Sequence, residues 1–392
     1  MKIVFLTSRF PYPLTKGDKL RAYHQIRELG RYNDIYLISI IEEEPKKNDL
    51  EVIRKITSGL HIIRITPIDR YISLIKATAS DIPFQNAWFY SPLIHEIINK
   101  LMADIKPDHI FCQLTRMAEY AKFQPYPKTL DYMDCFGLSM KRRSGIVKGL
   151  YSFIFRVEAQ RMINYEEKIA ENFNFLTIIS QQDKDQLDFP EAKNIKVVSN
   201  GISDDFFNYN SEVEKLFDIV FVGNMSYLPN IESVEYLVKK ILPLCEKDVK
   251  VLLSGTSPDH RVTRLASPQV TVTGWVEDIR TSYAKSKVFV APMWSGTGQQ
   301  NKILEAMAMG IPCITTKVVN NAIGATEMES ILLAETPEQF SLCINKLLND
   351  KNLYTNISKN SQSFVRQNFD WKQTGMILSS IFAQKYNQIN VD

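Results

Sequence analysis

The segment Ala291 to Thr316, APMWSGTGQQNKILEAMAMGIPCITT, gathers residue types that can hold a phosphate. An apolar strand ends at Pro292. A loop with Gly296 and Gly298 follows, then a helical pattern that opens near Gln299 or Gln300 and closes at Gly310, a natural C-cap residue. Such a loop brings backbone N–H groups and the positive end of a helix dipole to one place. Lys302 falls in the first helical turn, where a cation is unfavourable unless an anion neutralises it. Glu305 stands three residues on, projecting from the same face. The lysine can meet a diphosphate while the carboxylate accepts bonds from ribose hydroxyls. A Lys–phosphate contact at about 4 Å is worth on the order of 4 kcal/mol per unit charge at an effective dielectric near 20, before desolvation is subtracted. The bland alternative is a surface Lys–Glu pair beside glycines that serve only the turn.

Three further apolar strands end in glycine: DIVFVG at Gly223, VLLSG at Gly255 and VTVTG at Gly274. After Gly223 and Asn224 a helix is expected from Pro229 or Asn230, since proline suits a first helical position. In the first half, the loop after the opening strand carries Lys16, Gly17, Asp18, Lys19 and Arg21. No G-x-G-x-x-G, no G-x-x-x-x-G-K-[ST] and no G-x-S-x-G occurs, which counts against a nicotinamide dehydrogenase, a P-loop NTPase and a serine hydrolase. The five histidines show no metal-ligand spacing, and of them only His24 is near a candidate site. Five scattered cysteines without a C-x-x-C point to reduced thiols in a cytosolic protein.

Met140 to Met162 interleaves Lys141, Arg142, Arg143, Lys148, Arg156 and Arg161 with Leu150, Tyr151, Phe153, Ile154 and Phe155. Basic charge beside aromatic bulk suits an anionic membrane interface. A core-packing helix with a solvated basic end explains the same pattern. The net charge of +3 is modest, so a nucleic-acid partner is not expected. The excess sits in Met1 to Asn200, with 29 Lys and Arg against 24 Asp and Glu.

Strand and helix patterns alternate through the chain. KIVFLTS, DIYLISI, LHIIRI, DHIFCQL, KTLDYMD, NFLTIIS and IKVVS form one series, and FDIVFVG, VKVLLSG, VTVTG, KVFVAP and IPCITT a second. A long helical pattern runs from about Gly149 to Asn172, and helices close the chain. The alternation predicts two α/β domains, each a doubly wound, Rossmann-like parallel sheet, facing a cleft. The boundary is expected at 205/206, in a polar and aromatic linker from Ser203 to Lys215. Residues 372–392 are expected to return to the first domain. At 392 residues and 45% hydrophobic content, each half can bury its own core. The chain has neither a signal-peptide pattern nor an apolar run near the ~18 residues that span a bilayer.

These residues resemble a family-4 retaining glycosyltransferase of the GT-B fold, similar to the sugar transferases of bacterial exopolysaccharide and capsule clusters. The resemblance covers nearly the whole chain. It rests on the opening strand with its Pro/Gly loop, on VVSNGISDDFF, VGNMSYLPN and VTGWVEDI, and on P-x-x-x-G-x-G-x-x-K-x-x-E-A-M-A-x-G-x-P. It implies a C-terminal domain that binds a nucleotide sugar and an N-terminal domain that binds a glycan or lipid-linked acceptor. Gly255 and the Trp275–Val276 backbone would flank the base, and Glu305 would hold the ribose. Thr297, Gly298, Gln299, Gln300 and Asn301 would line the sugar and diphosphate. Gln113 or Arg116, after the DHIF strand, would meet the donor sugar. No cofactor and no metal are implied. The chain departs from the family's E-x7-E at Thr297, and Asn224 and Pro229 stand where the family often has Arg and Lys. That leaves a catalytically impaired partner subunit, or a nucleotide-sugar epimerase of the same fold, as competing readings.

Overall fold

The computed structural model describes residues 1–146, 149–209, 213–246, 248–294 and 298–384. It divides into two units, Met1–Ser199 with the chain from Trp371, and Asn200–Asp370. The first unit holds β1 (Lys2–Thr7), β2 (Asp34–Ile41), β3 (Gly59–Arg64), β4 (His109–Gln113), β5 (Lys128–Asp131), β6 (Phe175–Ile178) and β7 (Lys196–Val197). All pair in parallel, in the order β3-β2-β1-β4-β5-β6-β7. The second holds β8 (Phe217–Val222), β9 (Val251–Ser254), β10 (Val270–Gly274), β11 (Ser286–Ala291), β12 (Cys313–Thr315) and β13 (Leu332–Leu333). These are also all parallel, in the order β10-β9-β8-β11-β12-β13.

The opening run shows why such strands are continuously apolar. Val4 and Leu6 pack into the core on one face of the first sheet, Ile3 and Phe5 into the core on the other. Helices cover both faces, so no position can be polar without cost. Register is fixed around Phe5, which lies opposite Leu37 of β2 and Phe111 of β4.

The helix Trp371–Phe382 packs in the first unit against the helix Gly17–Leu29. Gly375 permits this approach, because a Cβ there would stand 2.8 Å from Glu28 Cβ. The helix is pinned near each end by a histidine: Trp371 stacks on His24 at 4.5 Å and Phe382 on His109 at 4.3 Å. His24 is therefore a core residue. Burial pushes both imidazoles down to about 3, so they are neutral.

The division falls at 199/200, ahead of the polar segment in which the sequence places a linker. Ile202 already belongs to the second core, and its N–H bonds the Phe369 carbonyl. In the first unit a fully buried ion pair joins helix to sheet: Arg21 donates to both carboxylate oxygens of Asp131, at 2.7 and 2.9 Å, and to the Val198 carbonyl at 2.8 Å. Thr177 completes the Asp131 shell at 2.8 Å. Among the described residues no helix is long and apolar enough to cross a membrane.

Candidate functional site

In doubly wound sheets ligands bind beyond the carboxyl ends of the strands, where the strand order reverses. In the second unit that point lies between β8 and β11. The chain leaving β8 is the Gly223–Asn224 loop, which runs into the helix Leu228–Tyr236. The chain leaving β11 leads through Gly298 to the helix Asn301–Ala308. The helix starts one or two residues later than the pattern suggests, and Lys302 stays in its first turn.

A short chain of bonds holds the two loops together. Lys302 Nζ donates to Asn230 Oδ1, and Asn230 Nδ2 donates to the Asn224 carbonyl at 2.8 Å. The ammonium also lies 4.9 Å from the centre of the Phe221 ring. Asn230 is buried, and sequence reasoning placed it only as a helix start. Its amide ties Lys302 to the Gly223 loop, a role visible only after folding. The nearby apolar packing pushes the Lys302 amine down to about 7 through desolvation, against the opposing pull of Glu305. The amine is thus poised to take a proton when an anion arrives.

Glu305 is half-buried, and desolvation raises its carboxyl above the usual range; the Tyr283 hydroxyl and Lys302 counter this. Fully buried Tyr283 places its hydroxyl 3.0 Å from Glu305 Oε2 and 3.0 Å from the Lys302 carbonyl. One phenol thus sets both site residues, and no local sequence signal marks it.

The strand-end glycines separate by role. Gly255 has φ +146°, and a Cβ there would fall 1.7 Å from the Gly223 carbonyl oxygen, so glycine is demanded by the approach of two backbones. At Gly223 the clash would be with the Asn230 amide, at 2.7 Å. Gly298 has φ +72° in open space. Gly17, in the first unit, opens its helix with nothing within 4 Å of a built Cβ. At the ends of β9 and β10, buried Ser254 Oγ meets buried Ser282 Oγ at 2.7 Å and accepts from the exposed Thr273 hydroxyl at 3.1 Å.

The loop itself is partly committed. Gln299 is buried and uses its whole amide on the junction: Asn200 N–H donates to Oε1 at 2.8 Å and Nε2 donates to the Asn200 carbonyl at 2.9 Å. Its side chain is therefore a structural tie. The N–H groups of Asn301 and Ile303 already bond the carbonyls of Gln299 and Gln300. Gln300 and Asn301 are half-buried, and Asn224 is exposed with its side chain turned onto Ser226. Trp275 is 68% exposed beside half-buried Val276. Thr297 lies outside the described residues.

In the first unit the corresponding point lies between β1 and β4. Gln113, at the end of β4, donates to the Asp18 carbonyl at 2.9 Å. Arg116 is buried between the rings of Phe89 and Phe136, each 5.1 Å from its guanidinium carbon, and its Nη1 has no hydrogen-bond partner among the described residues. Two non-glycine residues take positive φ at the ends of neighbouring strands, Leu114 at 67° and Met133 at 64°. Such strain collects at functional sites. Next to Met133, burial and the Asp183 carboxylate push Asp134 up to about 7. Lys141 and Arg142 are exposed, with Arg142 bonded to Gln186. Lys148 and the Arg143 side chain lie outside the described residues.

Residues 217–350 match the family model described as glycosyl transferases group 1. The chain is 21% identical to a 44.6 kDa protein in the cps region of Klebsiella pneumoniae, over 98% of this chain and 99% of that one. Anabaena HepE, in complex with UDP and glucose, superposes with a TM-score of 0.69 at 16% identity, covering 97% of this chain and 99% of its own. Sucrose-phosphate synthase from Thermosynechococcus elongatus gives a TM-score of 0.69 at 15% identity, over 97% and 98%. The fold is thus the two-domain, Rossmann-like GT-B fold. Together with the matched segment it supports a GT-B glycosyltransferase.

Proposed function

We propose that this protein transfers a sugar, with retention, from a nucleotide-diphosphate sugar to a glycan or lipid-linked acceptor in cell-surface polysaccharide synthesis. The observation that carries the reading is the Lys302 amine, held by Asn230 at the switch point of the second sheet with Glu305 one turn along. Lys302 meets the diphosphate and Glu305 takes the ribose hydroxyls, with the base between Gly255 and the Trp275–Val276 backbone. Anabaena HepE, a structural neighbour that holds UDP and glucose, and the relative from a cps region support this assignment.

In the reaction the bond from the anomeric carbon to the diphosphate breaks, and a bond to the acceptor oxygen forms on the same face. The acceptor's proton passes to the leaving phosphate. Lys302 and the loop N–H groups stabilise the charge that builds there. The step uses no metal and no cofactor. The first domain, with Gln113, Arg116 and the strained ends of β4 and β5, holds the acceptor and reaches the donor sugar. The enzyme works in the cytoplasm, at the inner face of the membrane.

The test is a calorimetric screen against UDP-, GDP-, ADP- and CDP-sugars with wild type and Lys302→Ala. Selective binding of one donor, weakened by about two orders of magnitude or more in the folded variant, is expected for one lost charged contact worth about 3 kcal/mol. Equal affinity in the two proteins would remove Lys302 from the site.

A further inference from the structure

Strands β4 and β5 lie side by side and end alike. Gln113 stands opposite Asp131, and shortly beyond that pair each chain turns through a positive φ, at Leu114 and at Met133. Three residues beyond the pair each chain delivers one charged side chain, Arg116 from β4 and Asp134 from β5. The backbone fixes both turns. Leu114 N–H bonds the Asp131 carbonyl at 2.8 Å, and Ile179 N–H bonds the Met133 carbonyl at 3.1 Å. Gln113 lies across them, its Nε2 on the Asp18 carbonyl and 3.8 Å from Met133 Sδ.

Both charged groups keep hydrogen-bonding capacity. Arg116 is only 8% exposed, and the two phenylalanine rings that flank it leave its edge for polar contact. With the Gln85 amide turned to satisfy both groups, its oxygen accepts from Arg116 Nε at 3.2 Å and Nη2 at 2.5 Å. Nη1 stays unbonded among the described residues, and so does the buried Oδ1 of Asp134. The two charges act on one another, yet these two atoms do not bond. A buried donor and a buried acceptor left open in one place cost free energy unless something else bonds both.

Charge decides what that is. The other ions acting on the pair are matched already: Arg9 bonds Asp18 at 2.5 Å, Arg21 holds Asp131, and Arg70 meets Glu42 at 3.3 Å. Asp183 adds a further carboxylate, the largest charge effect on Asp134. No surplus cation is left for a phosphate or a carboxylate to neutralise, and an anion would face two carboxylates. A hydroxyl suits both open atoms, because it donates and accepts at once.

We propose that Arg116 and Asp134 form a recognition pair for the hydroxyls of a neutral sugar on the acceptor, so that the first domain selects neutral glycan ends over uronic acids and phosphorylated sugars. One hydroxyl, or two on adjacent carbons, donates to Asp134 Oδ1 and accepts from Arg116 Nη1. This rests on the reading above that the first domain holds the acceptor, and names its chemical class. Glycoside binding needs no nucleotide, so it can fail while donor binding at Lys302 stands, and the reverse.

The experiment is saturation-transfer NMR of the full chain with the methyl glycosides of glucose, galactose and mannose, each beside its uronate. It is repeated with the nucleotide sugar that binds in the calorimetric screen. Wild type is expected to bind at least one neutral glycoside, and the matching uronate about tenfold or more weakly. Arg116→Met keeps bulk between the two rings, and Asp134→Ala removes the acceptor atom. Each should weaken the neutral glycoside by about tenfold or more. One mono-deoxy analogue of that glycoside should be as weak in wild type and lose nothing further in the variants. Both variants should melt close to wild type, since each removes an unbonded buried atom. Asp134, already pushed up to about 7, takes a proton when Arg116 is gone. Absence of binding by every neutral glycoside, equal affinity for the uronate, or unchanged binding by the folded variants overturns the proposal. Displacement of the glycoside by the nucleotide sugar also overturns it, by giving the pair to the donor. Both variants melting far below wild type would assign the pair to the scaffold instead.

Discussion

Lys302 should make donor affinity depend on pH in a particular direction. Desolvation holds its amine near 7, well below the ordinary lysine range, so in the unliganded protein it is half charged at neutral pH. A diphosphate beside it favours the charged form and raises that value on binding. If only the ammonium form binds, its population is about one half at pH 7, about a tenth at pH 8 and about a hundredth at pH 9. The dissociation constant for a nucleotide sugar should then rise about tenfold from pH 6 to 8, and about tenfold more by pH 9. Calorimetry in buffers of different ionisation enthalpy should show uptake of nearly one proton at pH 8. A nucleotide sugar is the right probe, because its diphosphate lacks the second ionisation of a terminal phosphate. Lys302→Arg, permanently charged, should flatten the profile, and Lys302→Ala should bind weakly at every pH. A wild-type affinity constant between pH 6 and 9 would refute the reasoning.

Other perturbations test the scaffold. Gly255→Ala drives a methyl into the Gly223 carbonyl from a φ that L residues rarely adopt. It should destabilise the second domain by about 3 kcal/mol or more, seen as early loss of its calorimetric transition. Arg21→Met leaves Asp131 buried without its cation and should cost about 3–5 kcal/mol in chemical denaturation. The neutral histidines predict acid lability. His24 and His109 titrate near 3 when folded and near 6.5 when unfolded, so the unfolded chain binds more protons as pH falls below 6.5. Each should take away about 1.4 kcal/mol per pH unit there, and His24→Phe, which keeps a ring against Trp371, should remove roughly half of that slope.

Much of the architecture is written locally. The runs at Ile3–Leu6 and Ile219–Val222 are apolar at every position because both faces of each sheet are covered, and that alone announces parallel α/β sheets. The glycine loop, Lys302 and Glu305 are legible because a phosphate site at a helix start needs those types within a few residues. Distance along the chain hides the rest. Asn230 supports Lys302 from 72 residues away, and Gln299 ties itself to Asn200 across 99. Tyr283 orients Glu305 from a short helix with no motif of its own. Gly255 is glycine because of another strand's carbonyl, which no reading of VLLSG can reveal. The inverted face of Pro67–Ala77 is the sharpest case. Its periodicity announces an amphipathic helix, but which side faces the core is a property of the neighbours. There, Arg70 lies over Trp88 and Ser73 bonds the Tyr90 carbonyl, while Ile68 and Ile75 stay outside.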